Sequence, residues 1–274
     1  MSYRFEGRTA IVTGAASGIG AALARDLAAR GCNLALVDVN AQGVTDIARA
    51  LGSNHQAITA HVCDLADRDA IAELTPEITA AHPAIDMLFN NAGAALGGEF
   101  TEVAEADFDW LMDVNFNAVV RMTRAFLPAL IASDAGRLIN VSSLYGIIAP
   151  AGQTAYSASK FAVRGFSAAL RQELKETGVQ VHTVHPGGVK TNIARNARIN
   201  VAADPTEVEA GVKAAEALFI TPPESAAATI LKGVDRGKPR IIVGRDAQVV
   251  TFIERLIPSS ATALITRLMG KQTR

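Results

Sequence analysis

The sequence predicts an α/β fold, a doubly wound parallel sheet with helices on both faces, and three observations carry that expectation. Short β-branched and apolar runs alternate with longer stretches of helical period, which is how successive strand–helix–strand units read. A glycine-rich turn follows the first run and opens the first helical stretch. Hydrophobic residues make up 49% of the 274 and charged residues 19%, the balance of a chain that buries a large core.

Thr9 to Thr13 reads as a buried strand, and Ile19, Leu23 and Leu27, spaced by four, mark the inner stripe of a helix that ends near Gly31. The pattern repeats with the strand Asn33 to Asp38 and a helix to about Leu51, then with Ala57 to Val62 and a helix to about Ala80. Ile85 to Asn90 is the fourth strand. Helical stretches around Glu102 to Asp113 and Phe116 to Ile131 lead into the strand Arg137 to Ser142. Ala162, Phe166, Leu170 and Leu174 recur every four residues, and Gly178 supplies a stop before the strand Val179 to His185. Pro222 and Pro223 introduce a helix before the last strand, Arg240 to Val243, so seven strands are expected. Lys190 to Thr221 is the least regular stretch, because Pro205 and scattered charges interrupt a helical composition.

The tail offers two more amphipathic helices. Asp246 is placed to cap one whose face carries Val249, Val250, Ile253, Leu256 and Ile257. Ser260 is placed to cap another with Ala261, Leu264, Ile265, Leu268 and Met269. Packing on its own subunit, a lid or contact in a homo-oligomer, and a peripheral membrane contact through Arg255, Arg267, Lys271 and Arg274 are the three roles open to it.

Lys plus Arg number 26 against 27 for Asp plus Glu, so the net charge of −1 offers nucleic acid no electrostatic attraction. Cys32 and Cys63 form neither a metal cluster nor a framework of bridges, which suits a reducing compartment. The first ten residues, MSYRFEGRTA, lack the apolar core of a signal peptide, and no apolar run reaches the ~18 residues of a membrane span. A cytoplasmic protein without a membrane span is expected.

The turn Thr13-Gly14-Ala15-Ala16-Ser17-Gly18-Ile19-Gly20 stands where a doubly wound fold binds phosphate. Gly14 permits a tight turn, Gly18 lets the backbone approach an anion, and Gly20 lets helix and strand pack closely. The helix N-terminus then presents free N–H groups and a partial positive charge to a pyrophosphate. Asp38 ends the second strand about 20 residues later, where a carboxylate accepts from an adenosine ribose. It would repel a 2′-phosphate, so NAD is favoured over NADP, and Ser17, where a basic residue would help hold that phosphate, points the same way. Capping of the following helix is the other role open to Asp38.

Tyr156 and Lys160 lie four apart at the start of a helix, so their side chains leave one face a turn apart. A free tyrosine titrates near ~10, and a neighbouring ammonium favours the phenolate, which brings it toward proton exchange with an alcohol. Ser143 ends the preceding strand at the carboxyl edge of the sheet, where its hydroxyl can hold a substrate oxygen.

Together these residues resemble the short-chain dehydrogenase/reductase family. The matching segments are TGAASGIG at 13–20, Asp38, CDL at 63–65, NNAG at 90–93, Asn115, NVSS at 140–143, YSASK at 156–160 and PGGVKT at 186–191. The resemblance implies a single Rossmann domain over residues 1–245, with 190–221 as the substrate loop and 246–274 as a helical extension. It implies a tetrad in which Tyr156 is the general acid/base, Ser143 positions the substrate oxygen, Lys160 binds the nicotinamide ribose and lowers the Tyr156 pKa, and Asn115 holds a water. It also implies that Asp64 and Leu65 meet the adenine, that Asn91 and Gly93 line the cofactor cleft, that Ile19 offers its N–H to the phosphates, and that Val189 and Thr191 hold the nicotinamide amide. A homodimer or homotetramer built on the helices that carry Asn115 and Tyr156 follows from the same resemblance.

Other polar residues read as structural. His182 and His185 are an odd number of residues apart on a strand and point to opposite faces, which argues against a shared metal. Asn90 ties strands together, and Cys63 is a small buried residue without a paired base. The expected activity is NAD-linked interconversion of a secondary alcohol and a ketone. Leu144, Tyr145, Ile147 and Ile148 suggest an apolar pocket for a small-molecule substrate. An NADPH-preferring carbonyl or 3-oxoacyl reductase is the alternative enzyme, and a non-catalytic dinucleotide sensor the alternative of another class.

Overall fold

The computed structural model describes residues 3–52, 56–198 and 205–269. Its strands are β1 (Thr9–Thr13), β2 (Asn33–Asp38), β3 (Ile58–Val62), β4 (Met87–Asn90), β5 (Arg137–Val141), β6 (Gln180–Pro186) and β7 (Arg240–Val243). All seven pair in parallel, in the order β3-β2-β1-β4-β5-β6-β7. The inner strands β1, β2, β4, β5 and β6 are buried on both sides, which explains why their runs read as continuously apolar, whereas the edge strand β3 leaves Val62 exposed.

The helices are α1 (Gly18–Ala29), α2 (Ala41–Leu51), α3 (Arg68–Ala81), α4 (Glu105–Met112), α5 (Ala118–Ala132), α6 (Thr154–Glu173), α7 (Pro205–Ala217), α8 (Pro223–Asp235), α9 (Arg245–Leu256) and α10 (Ala261–Met269). Alternation along the strands divides the core in two. Ala10, Val12, Leu34 and Leu36 face Leu23 and Leu27 of α1 and Ile230 and Leu231 of α8. Ile11, Ala35, Val37 and Leu88 face Ile71 and Ile78 of α3 and Met122 and Phe126 of α5. Phe126 is fully buried, so its truncation to alanine would cost about 3–5 kcal/mol.

The chain runs outward from β1 to β3 and returns at β4, so the strand order reverses between β1 and β4. A crevice opens at the carboxyl ends of these strands, the place where doubly wound folds bind ligands. Asn90 braces its floor: Nδ2 donates to Asn140 Oδ1 on β5 at 2.9 Å and to Thr123 Oγ1 at 3.1 Å.

Three elements differ from the sequence expectation. The two helical stretches across residues 102–131 are one continuous run, in which a π-helical turn, Asp113–Asn117, joins α4 to α5 and carries Asn115. One extra residue in a helical turn leaves no mark on apolar spacing, and such turns gather at functional sites. The stretch 190–221 contains α7, because Pro205 stands at the first helical position, where a missing N–H costs nothing. Asp246 lies within the first turn of α9, after Gly244 in the capping position, and its carboxylate reaches across to another segment.

The tail packs on its own chain. Ala261 and Ile265 of α10 bury Ile147 and Ile148, with Val250 and Ile253 of α9 beside them. Ile147 and Ile148 are therefore covered by the tail instead of lining an open pocket. Lys271 and Arg274 lie outside the described residues, as do the side chains of Leu268 and Met269. Among the described residues no helix is long and apolar enough to cross a membrane, and no three His, Cys, Asp or Glu side chains gather as metal ligands. His182 and His185 are fully buried, and each ring binds a different carbonyl.

Candidate active site

The glycine turn joins β1 to α1 at the crevice. Gly14 and Gly18 have φ of +65° and +52°, which side-chain-bearing residues rarely adopt. A Cβ on Gly18 would come 2.8 Å from Thr191 Cγ2, so the segment after β6 folds back onto the turn. A Cβ on Gly20 would strike the Gly14 carbonyl, which follows β1, and Asn91 Nδ2, so the start of α1 lies close against the strand exits. Ala21 donates to the Ser17 carbonyl, which leaves the amides of Gly18, Ile19 and Gly20 as orphan donors at the helix start. The first turn carries no acidic residue, and the exposed Ser17 side chain makes no capping bond. Free donors, the helix dipole and an open hydroxyl suit an anion.

Asp38 lies beside the turn. Its Oδ2 accepts from Ala16 N–H at 2.9 Å and its Oδ1 from Asn40 N–H at 2.9 Å. The cap of α2 is Asn40, whose Oδ1 accepts from Gly43 N–H. Capping therefore does not occupy Asp38, and each carboxylate oxygen retains a lone pair at the crevice edge.

Thr13 and Asn91 brace the other wall. Thr13 Oγ1 accepts from Asn91 and Ala92 N–H, both at 3.0 Å, and Asn91 Nδ2 donates to the Thr13 carbonyl at 2.9 Å. The Asn91 Nδ2 thus ties β1 to the exit of β4, and Oδ1 keeps its acceptor capacity. Leu65 is buried in the core against the sheet, while the exposed Asp64 uses Oδ1 to accept from Ala66 N–H.

At the far end, Ser143, Tyr156, Lys160 and Asn115 converge from β5, α6 and the π-helical turn. Ser143 Oγ accepts from Tyr145 N–H at 3.1 Å, and its hydroxyl meets the Tyr156 phenol. Lys160 Nζ lies 5.7 Å from the Tyr156 ring centroid and donates to the Val141 carbonyl at 3.3 Å. That carbonyl occupies one of three ammonium protons, and the others are free for a ligand.

Burial dominates the titration of both groups. It pushes the Tyr156 phenol up to about 12, with Tyr145 adding a smaller rise and the Ser143 hydrogen bond opposing it. It pushes the Lys160 ammonium down to about 8. Burial sets the direction of the Tyr156 shift, and Lys160 faces the ring at 5.7 Å.

Asn115 is fully buried. Its Oδ1 accepts from Ala94 N–H at 2.9 Å, and its Nδ2 donates to the Ala94 carbonyl and to Ser159 Oγ, each at 3.1 Å. Both amide protons are committed, so the side chain pins the NNAG exit loop to α6, and Oδ1 keeps one lone pair. Gly93 fills the notch between tetrad members, because a Cβ there would lie 3.1 Å from both Asn115 Oδ1 and Lys160 Nζ.

Val189 lies between two anchored residues. Thr221 N–H donates to the Gly188 carbonyl at 3.0 Å and Lys190 N–H to the Thr221 carbonyl at 2.9 Å. By the alternation of extended backbone, the Val189 N–H and C=O project from the opposite edge, and neither has a partner among the described residues. The sequence reading does not single out Thr13, Ser159 or Arg198. Arg198 N–H donates to the Ala95 carbonyl, its guanidinium stacks 3.6 Å from the Trp110 ring centroid, and it pairs with Asp107 at 3.0 Å. The arm after β6 is thereby fastened to α4 beside Tyr156, a link between distant segments that local spacing does not signal.

The fold and this site define a class. The family model for short chain dehydrogenase matches residues 8–202, and the chain belongs to that family of oxidoreductases. The putative oxidoreductase SadH of Mycobacterium tuberculosis is 40% identical over 273 residues, 97% of each chain. The D-threitol dehydrogenase of Mycolicibacterium smegmatis is 35% identical over 195 residues, 71% of this chain and 75% of that one. Among solved structures, a Burkholderia phymatum short chain dehydrogenase/reductase in complex with NAD superposes with a TM-score of 0.85 at 24% identity, covering 92% of this chain and 94% of that one. A Sphingobium yanoikuyae short-chain dehydrogenase in complex with NADPH superposes at 0.75 with 26% identity, covering 94% and 95%.

Proposed function

We propose that this protein is an NAD-dependent dehydrogenase that interconverts a secondary alcohol and a ketone, with Tyr156 as the proton carrier. The observation that carries the reading is the gathering of Ser143, Tyr156 and Lys160 at the crevice beside the glycine turn, with Lys160 Nζ 5.7 Å from the Tyr156 ring centroid. A nicotinamide held at this crevice would supply the hydride acceptor for a carbinol carbon and, in its reduced form, the hydride donor for a carbonyl. Tyr156 gives its phenolic proton to the substrate oxygen during reduction; during oxidation the phenol first releases its proton to solvent and the resulting phenolate takes the proton of the alcohol, while Ser143 holds the substrate oxygen in line. The free amides of Gly18, Ile19 and Gly20, with Gly14 and Ser17 in the same turn, take the pyrophosphate. Lys160 takes the nicotinamide ribose, in the notch that Gly93 leaves open.

The outward N–H and C=O of Val189 match the donor and acceptor of a carboxamide, and Thr191 closes beside them. Asp64 and Leu65 flank the adenine, and Asn91 keeps the cleft wall in place. Asp38 supports the choice of cofactor: its unused lone pairs suit a ribose diol, and its charge opposes a 2′-phosphate. The solved relatives carry NAD in one case and NADPH in the other, so this carboxylate is the ground for NAD. D-threitol dehydrogenase, by its name, oxidises an alcohol, and that agrees with the reaction class. The half-buried Leu144 and Tyr145, with Leu96 and Val103 near Tyr156, favour an apolar substrate.

We read the chain as one domain in which residues 246–274 are an extension, and as a cytoplasmic homodimer or homotetramer. Exposed Ile131 on α5 and Phe161 on α6 support contact through those helices. A screen of secondary alcohols with NAD and with NADP tests the function. Turnover with NAD in clear preference supports it, and equal or better turnover with NADP removes the assignment.

A further inference from the structure

The turn that ends β6 contains two glycines, and the side chain packed against them comes from the C-terminal extension. Gly188 N–H donates to Asp246 Oδ2 at 2.7 Å. A Cβ on Gly187 would run into the same carboxylate, and one on Gly188 would run into the Leu218 carbonyl. Gly244, at the start of α9, likewise leaves space that the Asp246 carboxylate and the Thr221 hydroxyl fill, and there φ is +96°. The carboxylate is therefore seated in a glycine-lined slot built by two distant segments, and its Oδ1 is buried without a partner. A carboxylate oxygen buried without a partner costs stability, so this arrangement is not the cheapest way to pack the tail.

The consequence lies one residue further on. Gly188 has its N–H held by Asp246 and its carbonyl held by Thr221, and Lys190 N–H is held by Thr221. With both neighbours fixed, Val189 cannot rotate, and its N–H and C=O are presented outward. Thr191 is then delivered against Gly18 of the phosphate turn.

We propose that Asp246 is a positioning residue that sets the Gly188–Thr191 segment to grip the nicotinamide end of the cofactor. It lies outside residues 8–202, the part that defines the family. The proposal rests on the cofactor-binding reading above, and it assigns the tail a part in binding that packing on Ile147 and Ile148 does not require.

The test compares binding of the whole dinucleotide, NAD or NADP as the unmodified protein prefers, with binding of the matching ADP-ribose, which lacks only the nicotinamide. Titration calorimetry reads both affinities in the unmodified protein, Asp246→Ala and Asp246→Asn, with melting temperature followed in parallel. Asp246→Ala is expected to weaken the dinucleotide at least ten-fold and leave ADP-ribose within two-fold. Asp246→Asn, which keeps an acceptor oxygen, is expected to lose only two- to three-fold on the dinucleotide, and it alone decides the matter if the alanine variant does not fold. Equal weakening of both ligands, or of neither, would overturn the proposal while the cofactor reading stands. An unmodified protein that binds neither dinucleotide would overturn that reading and this proposal with it.

Discussion

His185 Nδ1 lies 3.0 Å from the Ser143 carbonyl oxygen and must carry the proton, since a carbonyl can only accept. The ring thereby fixes the backbone of the residue whose hydroxyl meets Tyr156, and its Nε2 is buried with no partner. Burial pushes His185 down to about 4, and it does the same to His182, whose Nδ1 donates to the Lys238 carbonyl.

A dependence of stability on acid follows. Both histidines stay neutral in the folded state and take up protons near ~6.5 when unfolded, so between about pH 6.5 and 4 the unfolded state binds two more protons. The unfolding free energy should fall by about 2–3 kcal/mol per pH unit in that window and be insensitive to these rings above it. Urea midpoints at pH 7.5, 6.0 and 5.0 measure this, and a flat series would place the rings in a polar setting.

Lys160 sets a second pH dependence of opposite use. Burial lowers its pKa to about 8, so the ammonium is charged below that pH and loses its charge above it. Dinucleotide affinity should decline as pH rises through about 8, and Lys160→Ala should bind weakly at every pH with no such inflection. Dissociation constants from pH 6.5 to 9.5 for both proteins decide whether the charge matters.

Asp38→Ala should narrow the preference for NAD over NADP by about ten-fold or more, through loss of ribose acceptors and of charge repulsion. The variant should also melt earlier, since the Ala16 and Asn40 amides lose their acceptor, worth about 1 kcal/mol each. The ratio of kcat/KM values for the two cofactors measures the first effect, and an unchanged ratio would take cofactor choice away from this carboxylate.

Gly93→Ala adds one methyl group at 3.1 Å from both Asn115 Oδ1 and Lys160 Nζ. The lysine end is the softer of the two, so it should shift by a few tenths of an ångström and cost about ten-fold in kcat/KM with little change in stability. Thermal melting beside steady-state rates separates these, and a variant with full activity would show that the notch is unused.

Much of this was legible in the sequence, because short apolar strand runs announce themselves: Thr9–Thr13, Asn33–Asp38 and Arg240–Val243 lie where those runs put them. The tetrad residues and the glycine turn were legible as motifs at fixed places in a repeating strand–helix order. What escaped depends on tertiary placement. The π-helical turn around Asn115 adds a residue without disturbing apolar spacing, and α7 hides behind a proline that only its position makes harmless. Asp246 looks like a helix cap until its partner, Gly188, arrives from a segment 58 residues away. The direction of the Tyr156 shift depends on burial, which no spacing of Tyr and Lys reports.

The central claim is that Tyr156 carries the proton in an NAD-linked alcohol oxidation, and Tyr156→Phe tests it with the ring retained and the exchangeable proton gone. Initial rates of NADH formation should be read at 340 nm with the best secondary alcohol of a screen, beside NAD binding by calorimetry. The account predicts a fall in kcat of about 100- to 10,000-fold with NAD affinity changed less than about three-fold. A phenylalanine variant that oxidises the alcohol at a rate within ten-fold of the unmodified protein would contradict it.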